Sequence, residues 1–463
     1  MNRQQETDIT QREPIAAIAT PVGEGGIAVI RVSGKGALER VQEAFRGPEL
    51  REQDSHTVHF GNIVDGGGEV VDEVLVTVFR TPRSYTGEDT AEISCHGGVL
   101  VTQAVLEAVL SRNVRAAEPG EFTQRAFLNG KMELSQAEAV ADLIHAKSAR
   151  ALDAAHQQLE GRLGEHIKTF RQQIIDATAM VELELDFSEE DVEFADKEEL
   201  RGLLEELDQE ITSLLQTYEA GRLVKHGVRT VFIGRPNAGK STLLNTLVGK
   251  DRAIVTEIAG TTRDTIDVDW SYDGLLFTLT DTAGLRDTED RVEKEGVKRS
   301  RKAFEEADLV VYLKDLGAEM DAGEREEIAG YQQRAGETPF LLVGTKDDIA
   351  LDEAGNRLEY DIRISALEGE RIGELKKLMK QRALESTHYD PSSILVTSSR
   401  HRDALEKAQE HVRSALQALD RGMTGDFLSI DLRGALQDLG TITGEITTED
   451  VLDSIFSRFC IGK

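Results

Sequence analysis

Cysteine is nearly absent from this chain: its 463 residues include only Cys95 and Cys460. Two thiols can neither build a disulfide framework nor complete a tetrahedral zinc site by themselves, and such a low number is typical of a reducing compartment. Long apolar runs are missing too, since no stretch approaches the roughly 20 apolar residues that a membrane-spanning helix needs. The polar start Met1-Asn-Arg-Gln-Gln-Glu does not fit a secretion signal. We therefore expect a cytoplasmic protein without a membrane segment.

Positively charged residues are also few relative to negatively charged ones. The chain has 85 acidic residues against 54 lysines and arginines, a formal net charge of −31 at pH 7. Such a surface opposes non-specific attraction to nucleic acid, because the phosphate backbone is itself negative. An RNA partner would therefore need a local basic patch or a second subunit. The same charge argues against an appended basic RNA-binding domain.

The stretch from Gly234 to Ser241 reads G-R-P-N-A-G-K-S and matches the phosphate-binding loop G-x-x-x-x-G-K-[ST] at every fixed position. An apolar run over 231–233 precedes it as a predicted strand, and 242–248 follows as a predicted helix. In this layout, backbone N–H groups surround phosphate oxygens, Lys240 reaches the β- and γ-phosphates, and the Ser241 hydroxyl binds Mg²⁺. We predict a nucleoside triphosphate site that also includes Asn237, Ala238, Gly239 and Thr242.

The next predicted strand, over 275–280, runs into a D-x-x-G segment. In such a segment the carboxylate reaches Mg²⁺ through water, and the glycine amide meets the γ-phosphate. By itself D-x-x-G is a weak signal, so it gains weight only from the motifs around it. The residues assigned here to the nucleotide are Asp281, Thr282, Ala283 and Gly284.

Two later segments favour guanine over adenine. After the apolar run 340–343, Asp348 is placed to accept two hydrogen bonds from the ring N–H and exocyclic amine that only guanine carries. A strand over 361–364 then leads to Ser365 and Ala366, whose backbone amide can meet the guanine carbonyl oxygen. Ligands of open α/β sheets bind at the carboxyl ends of strands, so the joint pattern predicts GTP. The base site also includes Thr345, Lys346, Asp347 and Leu367.

Leu285 follows Gly284, at the position where Ras-like enzymes carry the glutamine that orients the attacking water. A leucine side chain cannot orient water. Either the domain hydrolyses GTP poorly by itself, or another polar residue takes that role. The acidic segment 286–293 supplies candidates.

The remaining patterns set the domain organisation. Residues 15–129 mix β-like runs over 27–32, 74–79 and 90–94 with a helical pattern over 99–110. Apolar stripes at helical spacing then lie on both sides of the GTPase motifs, at Leu200–Leu215 and Leu405–Leu419. We predict a multidomain α/β and α+β protein. Its parts are an N-terminal α+β domain (1–130), a helical domain in two parts (131–228 and 386–463) and an inserted P-loop GTPase domain (229–385) with a Ras-like doubly wound sheet.

Several segments outside the GTPase motifs carry a family resemblance. They are S-Y-T-G-E-D at 84–89, P-G-E-F-T-Q-R-A-F-L-N at 119–129 and the terminal F-C-I-G-K at 459–463. With the inserted GTPase domain, they make the chain similar to the tRNA modification GTPases of the MnmE family, also called TrmE. The match covers essentially the whole chain.

The resemblance implies a GTP hydrolase that works with a flavin-dependent partner, MnmG, which holds the FAD. Together they add a carboxymethylaminomethyl or aminomethyl-type group to the wobble uridine of certain tRNAs. A homodimer and a heterotetramer-type complex with MnmG are implied as well. The N-terminal domain would bind 5-formyltetrahydrofolate or a related tetrahydrofolate at Arg31, Glu92, Lys131 and Lys463. By residue type alone, Arg31 and Glu92 equally fit half-buried charges on strands.

The resemblance also addresses the leucine after the D-x-x-G segment. GTPase domains of this family pair across K⁺, and the matching K⁺ ligands are Asn237, Thr256, Ile258 and Thr261. Thr262 would join Ser241 on Mg²⁺, and Glu293 would orient the attacking water. A monovalent cation near the β/γ bridge offsets developing charge. The same loop assigns Glu257, Ala259 and Gly260 to the nucleotide.

At two positions, the residue roles that the resemblance implies do not carry over directly to this chain. Thr345 stands where the N-K-x-D motif has asparagine, so we expect a weaker link between the base site and the P-loop. A cysteine near a terminus is more often buried than nucleophilic, so we expect Cys460 to pack rather than react.

Two other functions fit a GTPase domain. A ribosome-assembly GTPase predicts a basic RNA-binding domain. A signalling switch predicts neither a folate site nor a flavoprotein partner.

Overall fold

The computed structural model describes residues 13–186, 197–249, 267–281, 301–351, 358–385, 387, 390 and 393–463. The chain divides into two compact units. The first unit is Met1–Ala141, Gln158–Arg171 and Leu436–Lys463, and the second is Asp142–Gln157 and Gln172–Ala435.

A seven-stranded sheet forms the centre of the first unit, with strand order β3-β4-β5-β6-β2-β1-β7. Neighbouring strands are antiparallel except β1 and β7, which are parallel. The three predicted β-runs are confirmed as β2, β5 and β6. The strands are β1 (Ile15–Ile18), β2 (Ile27–Ser33), β3 (Phe45–Arg46), β4 (Thr57–Val64), β5 (Val70–Phe79), β6 (Thr90–His96) and β7 (Arg115–Ala116).

The second unit contains a six-stranded sheet with order β13-β12-β11-β8-β10-β9. It is parallel except at β9, which pairs antiparallel with β10 at one edge. The order reverses at β8, which lies between β10 and β11. The strands are β8 (Val228–Ile233), β9 (Asp267–Tyr272), β10 (Leu275–Asp281), β11 (Leu309–Asp315), β12 (Phe340–Thr345) and β13 (Ile362–Arg363).

Burial explains why these sequences form these sheets. In β11 the residues from Leu309 to Lys314 are all buried, as expected for a parallel strand covered on both faces. Trp270 is fully buried and shares one apolar cluster with Phe232 and Phe277. In the first unit, Val105 and Val109 pack in one cluster with the strand residues of β2, β5 and β6. The predicted α+β and doubly wound α/β sheets are thereby confirmed.

The helices follow the predicted apolar stripes. Leu200, Leu204, Leu207 and Ile211 are buried on one helix, and Leu405 and Val412 are buried on another. In the described part of the chain, no helix combines the length and apolarity that crossing a membrane requires. The helices are α1 (Ala37–Ala44), α2 (Val99–Leu110), α3 (Glu121–Leu128), α4 (Leu134–His145), α5 (Ala149–Leu159), α6 (Arg162–Asp186), α7 (Lys197–Gln216), α8 (Tyr218–His226), α9 (Lys240–Val248), α10 (Ala322–Ala335), α11 (Ile372–Glu385), α12 (Ser399–Asp420), α13 (Gly425–Thr443) and α14 (Glu449–Phe456).

Candidate functional site

The loop that joins β8 to α9 has the backbone of a phosphate-binding loop. Its first residue, Gly234, has φ of 152°, and a Cβ there would lie 2.4 Å from the Leu313 carbonyl oxygen. Glycine therefore lets the loop start directly against β11. Asn237 (φ 66°) and Gly239 (φ 88°) are also left-handed, and Gly239 has no side chain with which to cap α9. No N-cap side chain therefore competes for the first N–H groups of the helix, which are the donors that bind phosphate at a helix N-terminus.

The side chains of this loop are also placed as phosphate and Mg²⁺ binding requires. The Lys240 Nζ donates to the carbonyl oxygens of Gly234 (2.7 Å) and Arg235 (3.1 Å), which holds the ammonium over the loop. Ala238 is buried, whereas Asn237, Ser241 and Thr242 are exposed. The Ser241 hydroxyl is therefore accessible at the first turn of α9, as a ligand of Mg²⁺ must be.

Thr345, at the end of β12, joins the segment predicted to recognise the base to the P-loop. Its side chain is 1% exposed, and its hydroxyl lies 2.8 Å from the Ala238 carbonyl oxygen and 3.0 Å from that of Lys314. The link that we expected to be weak is formed at normal hydrogen-bond length. A short side chain suffices because the loop passes directly over the end of β12.

The three residues after Thr345 have side chains in different environments. Lys346 adopts φ of 58° and places its ammonium 2.7 Å from Asp315 Oδ2. Asp347 is held by Arg363 at 2.8 Å. Asp348 is exposed and engages no cation within the described residues. Of the two neighbouring acids, Asp348 is therefore the one whose carboxylate is available to a base.

The segment after β13 closes the other side of this site. Ser365 is buried, and its Oγ accepts a hydrogen bond from the Glu368 N–H at 3.3 Å. The Ala366 carbonyl oxygen accepts from the Thr246 hydroxyl of α9 at 3.0 Å, and Leu367 is 78% exposed. The P-loop, residues 345–348 and residues 365–367 therefore meet at the carboxyl edge of one sheet.

The remaining residues predicted to bind the nucleotide are only partly covered by the described part of the chain. Asp281 ends β10 opposite Phe232 of β8, so its backbone reaches the same edge. Eleven predicted site residues lie outside the described residues, namely Thr256, Glu257, Ile258, Ala259, Gly260, Thr261, Thr262, Thr282, Ala283, Gly284 and Glu293.

A second cluster lies in the first unit around Arg31. Arg31 and Glu92 are direct cross-strand partners, and the guanidinium lies 2.9 Å from Glu92 Oε1. It also stacks over the rings of Tyr85 (5.0 Å) and Phe122 (5.7 Å). Its Nη1 is buried without a hydrogen-bond partner in the described structure. An acceptor on a ligand would satisfy that donor.

The C-terminal lysine joins this cluster. Burial and the nearby charge of Arg31 lower the pKa of Lys463, whereas Glu92 raises it. The preceding residue, Gly462, packs closely against β1. A Cβ at position 462 would lie 2.2 Å from the Ile18 carbonyl oxygen, so a larger residue does not fit there. Lys131 is exposed and donates to the Pro82 carbonyl oxygen at 2.9 Å, so it contacts the loop that carries Tyr85 rather than Arg31 itself.

Cys460 is exposed, so its predicted burial is wrong. Phe459 takes the buried position instead, in the apolar cluster of Phe456 and Leu452. The sequence interpretation also missed Tyr85 and Phe122. Tyr85 lies in the segment S-Y-T-G and Phe122 in the segment P-G-E-F. Both segments carry the family resemblance, so their aromatic residues could have been included among the candidate site residues.

A doubly wound sheet that carries a P-loop and a T-K-x-D segment at one edge defines a P-loop protein of the GTP-binding class. Two family models match the chain: "MnmE helical domain" over residues 134–460 and "GTP-binding protein TrmE N-terminus" over residues 14–131. The chain therefore belongs to the MnmE family, also called TrmE, as the resemblance predicted.

Proteins named tRNA modification GTPase MnmE from three organisms illustrate the similarity. That of Salinibacter ruber is 48% identical and aligns over 98% of this chain and 100% of its own length. The protein of Chlorobium phaeobacteroides is 46% identical and aligns over 99% of this chain and 100% of its own length. The protein of Clostridioides difficile is 43% identical and aligns over 97% of this chain and 99% of its own length.

Proposed function

We propose that this chain is a cytoplasmic GTP hydrolase that acts in the modification of tRNA wobble uridines. One contact supports the GTP site above all others. The Thr345 hydroxyl lies 2.8 Å from the Ala238 carbonyl oxygen and so joins the guanine-recognition segment to the phosphate loop. The names of the relatives that align over nearly the whole chain, tRNA modification GTPases, supply the second half of the proposal, which is the link to tRNA.

In the nucleotide site, each residue has a defined task. Loop N–H groups and Lys240 bind the phosphates, and Asp348 accepts from the guanine ring. Ser241 and Thr262 would hold Mg²⁺, which neutralises charge on the β- and γ-phosphates. The accessible Ser241 hydroxyl fits that ion. Glu293 would hold the attacking water in line.

Potassium dependence is the finer part of the hydrolase proposal. Asn237, Thr256, Ile258 and Thr261 would hold K⁺, which offsets negative charge that develops near the β/γ bridge. The exposed Asn237 side chain fits this role. The expected result is faster single-turnover GTP cleavage in potassium than in sodium buffer, with a rate that rises with protein concentration because two domains must pair. Equal rates in both salts would refute it.

The cluster around Arg31 supports a tetrahydrofolate site in the first unit. Among the residues that the structure describes, none accepts from the buried Arg31 Nη1, so an acceptor on a ligand would remove the cost of burying it unpaired. Tyr85 and Phe122 offer ring faces beside the guanidinium. Arg31, Glu92, Lys131 and Lys463 are the residues we assign to 5-formyltetrahydrofolate or a related tetrahydrofolate. Titration with 5-formyltetrahydrofolate should saturate the unmutated chain and fail to saturate Arg31→Met, whereas Arg51→Met, an exposed arginine of the same unit, should bind normally.

The assembly is proposed on family membership alone. The chain would form a homodimer and join the flavoprotein MnmG, which brings FAD, in a heterotetramer-type complex. The corresponding domain division is the predicted one, with boundaries after residues 130, 228 and 385.

One experiment tests the proposed function as a whole. Cells lacking this chain are complemented with the unmutated gene, with Lys240→Ala or with Arg229→Ala, a strand arginine paired with Asp308. Mass spectrometry of tRNA should show the modified wobble uridine with the unmutated and Arg229→Ala chains only. Normal uridine modification in cells lacking the chain, with an altered ribosome profile instead, would favour the ribosome-assembly alternative. No change in either would favour a signalling switch.

A further inference from the structure

Arg235, the second residue of the P-loop, has a side chain that leaves the loop toward α10. Its guanidinium makes two hydrogen bonds to Asp321, Nη1 to Oδ2 at 2.6 Å and Nη2 to Oδ1 at 2.8 Å. Its Nε also lies 3.4 Å from Glu327 and 3.9 Å from Glu324. A paired fork of this kind fixes the orientation of both groups better than a single contact does.

The acidic side of this contact is itself anchored in the unit. Asp321 is the N-cap of α10 and accepts from the Glu324 N–H at 2.7 Å. Glu324 is 4% exposed and lies 3.5 Å from the ammonium of Lys314, which is 1% exposed. Lys314 in turn donates to the Ala318 carbonyl oxygen at 2.7 Å. Arg235 is therefore tied, through two buried charges, to the end of β11.

The backbone of Arg235 points the other way, to Lys240. The Lys240 Nζ donates to the carbonyl oxygens of Gly234 and Arg235. Gly234 lies directly against the Leu313 carbonyl oxygen of β11, which a Cβ at position 234 would approach to 2.4 Å. The second acceptor, the Arg235 carbonyl oxygen, belongs to the same residue whose guanidinium is bonded to Asp321.

From these contacts, and given the proposed GTP-binding function, we propose that Arg235 and Asp321 are positioning residues. They hold the P-loop carbonyl oxygens that orient the Lys240 ammonium toward the phosphates of the nucleotide. We call the pair the Arg235–Asp321 clamp. Arg235 does not need to touch the nucleotide to affect its binding, since it acts through its own main chain.

The variants separate the clamp from the helix cap that Asp321 also forms. Arg235→Ala removes the cation, and Arg235→Lys keeps the charge but loses the fork. Asp321→Asn loses the charge but keeps an N-cap residue of nearly equal quality. Arg229→Ala is the matched control, because Arg229 is an ion-paired arginine on β8, ahead of the loop. Fluorescence of Trp270, the one tryptophan of the chain, verifies folding in each variant.

Binding of fluorescent GDP and single-turnover cleavage of GTP are measured on the full chain. We expect the dissociation constant to rise roughly threefold to tenfold in Arg235→Ala, less in Arg235→Lys and Asp321→Asn, and less than about twofold in Arg229→Ala. The double variant Arg235→Ala/Asp321→Asn should be no worse than Arg235→Ala, because both changes break one contact. The effect should shrink in about 1 M salt, since the pair is partly exposed.

Unchanged GDP affinity in a folded Arg235→Ala chain that still cleaves GTP would overturn the clamp and leave the proposed function intact. Fully additive losses in the double variant, or losses that salt does not reduce, would also overturn it. Failure of the unmutated chain to bind guanine nucleotides would overturn the proposed function and the clamp together.

Discussion

The Thr345 contact gives the sharpest prediction about the nucleotide site. Thr345→Val keeps the shape of the side chain and removes only the hydroxyl. That hydroxyl has a single proton, so its contacts with Ala238 (2.8 Å) and Lys314 (3.0 Å) amount to one shared hydrogen bond. Because the site is 1% exposed, water does not replace the lost donor.

The expected cost is the value of one buried hydrogen bond plus the penalty for carbonyl oxygens left without this donor, about 1–3 kcal/mol. Part of it should appear as lower stability and part as weaker GDP binding, since the Ala238 carbonyl belongs to the P-loop. Urea unfolding is followed by the fluorescence of Trp270, which is fully buried in the same apolar cluster as Ala238. GDP affinity is measured by titration on the same preparations.

Two control variants make the result specific. Thr345→Ser keeps the hydroxyl and should retain most of the affinity and stability. Thr278→Val removes a hydroxyl that bonds to Asp269 at 3.0 Å on the β9–β10 pair, and it should leave GDP affinity unchanged. If Thr345→Val unfolds at the same urea concentration as the unmutated chain and binds GDP equally well, the Thr345 link has no energetic role and the reasoning fails.

Three further predictions concern base choice, catalysis and pH. Asp348→Asn should lose ~2–4 kcal/mol of discrimination between GTP and ATP in competition binding; equal affinity of the unmutated chain for both would contradict it. Glu293→Ala should keep GTP affinity within a few-fold while single-turnover cleavage falls by ~10²-fold; near-normal cleavage would assign the water to another acid. Burial and the Lys225 charge lower the pKa of His226 from its ordinary 6.5, so unfolding takes up a proton below pH 6.5 and stability falls with the pH. His226→Gln should reduce that fall in Trp270-monitored unfolding on acidification below pH 6.5, and an unaltered pH dependence would show that His226 is not responsible.

The strands and the helix that carry the nucleotide site could be predicted from local sequence patterns. A short apolar run before G-x-x-x-x-G-K-S and a helical pattern after it are local signals, and they became β8 and α9. The runs before residues 281 and 345 became β10 and β12 in the same way. Glycine at 234 and 239 could be assigned too, because these positions require a backbone that other residues rarely adopt.

Which distant side chains contact each other depends on strand order and packing, and local sequence patterns do not contain that information. Thr345 reaches the P-loop because β12 and β8 end at the same edge of one sheet, and strand order is not written in either strand. Arg235 finds Asp321 for the same reason. Arg31 faces Glu92 because β2 and β6 pair in one particular register, and a shift of one residue would turn each side chain to the other face. Local patterns specify elements, whereas strand pairing and packing specify contacts.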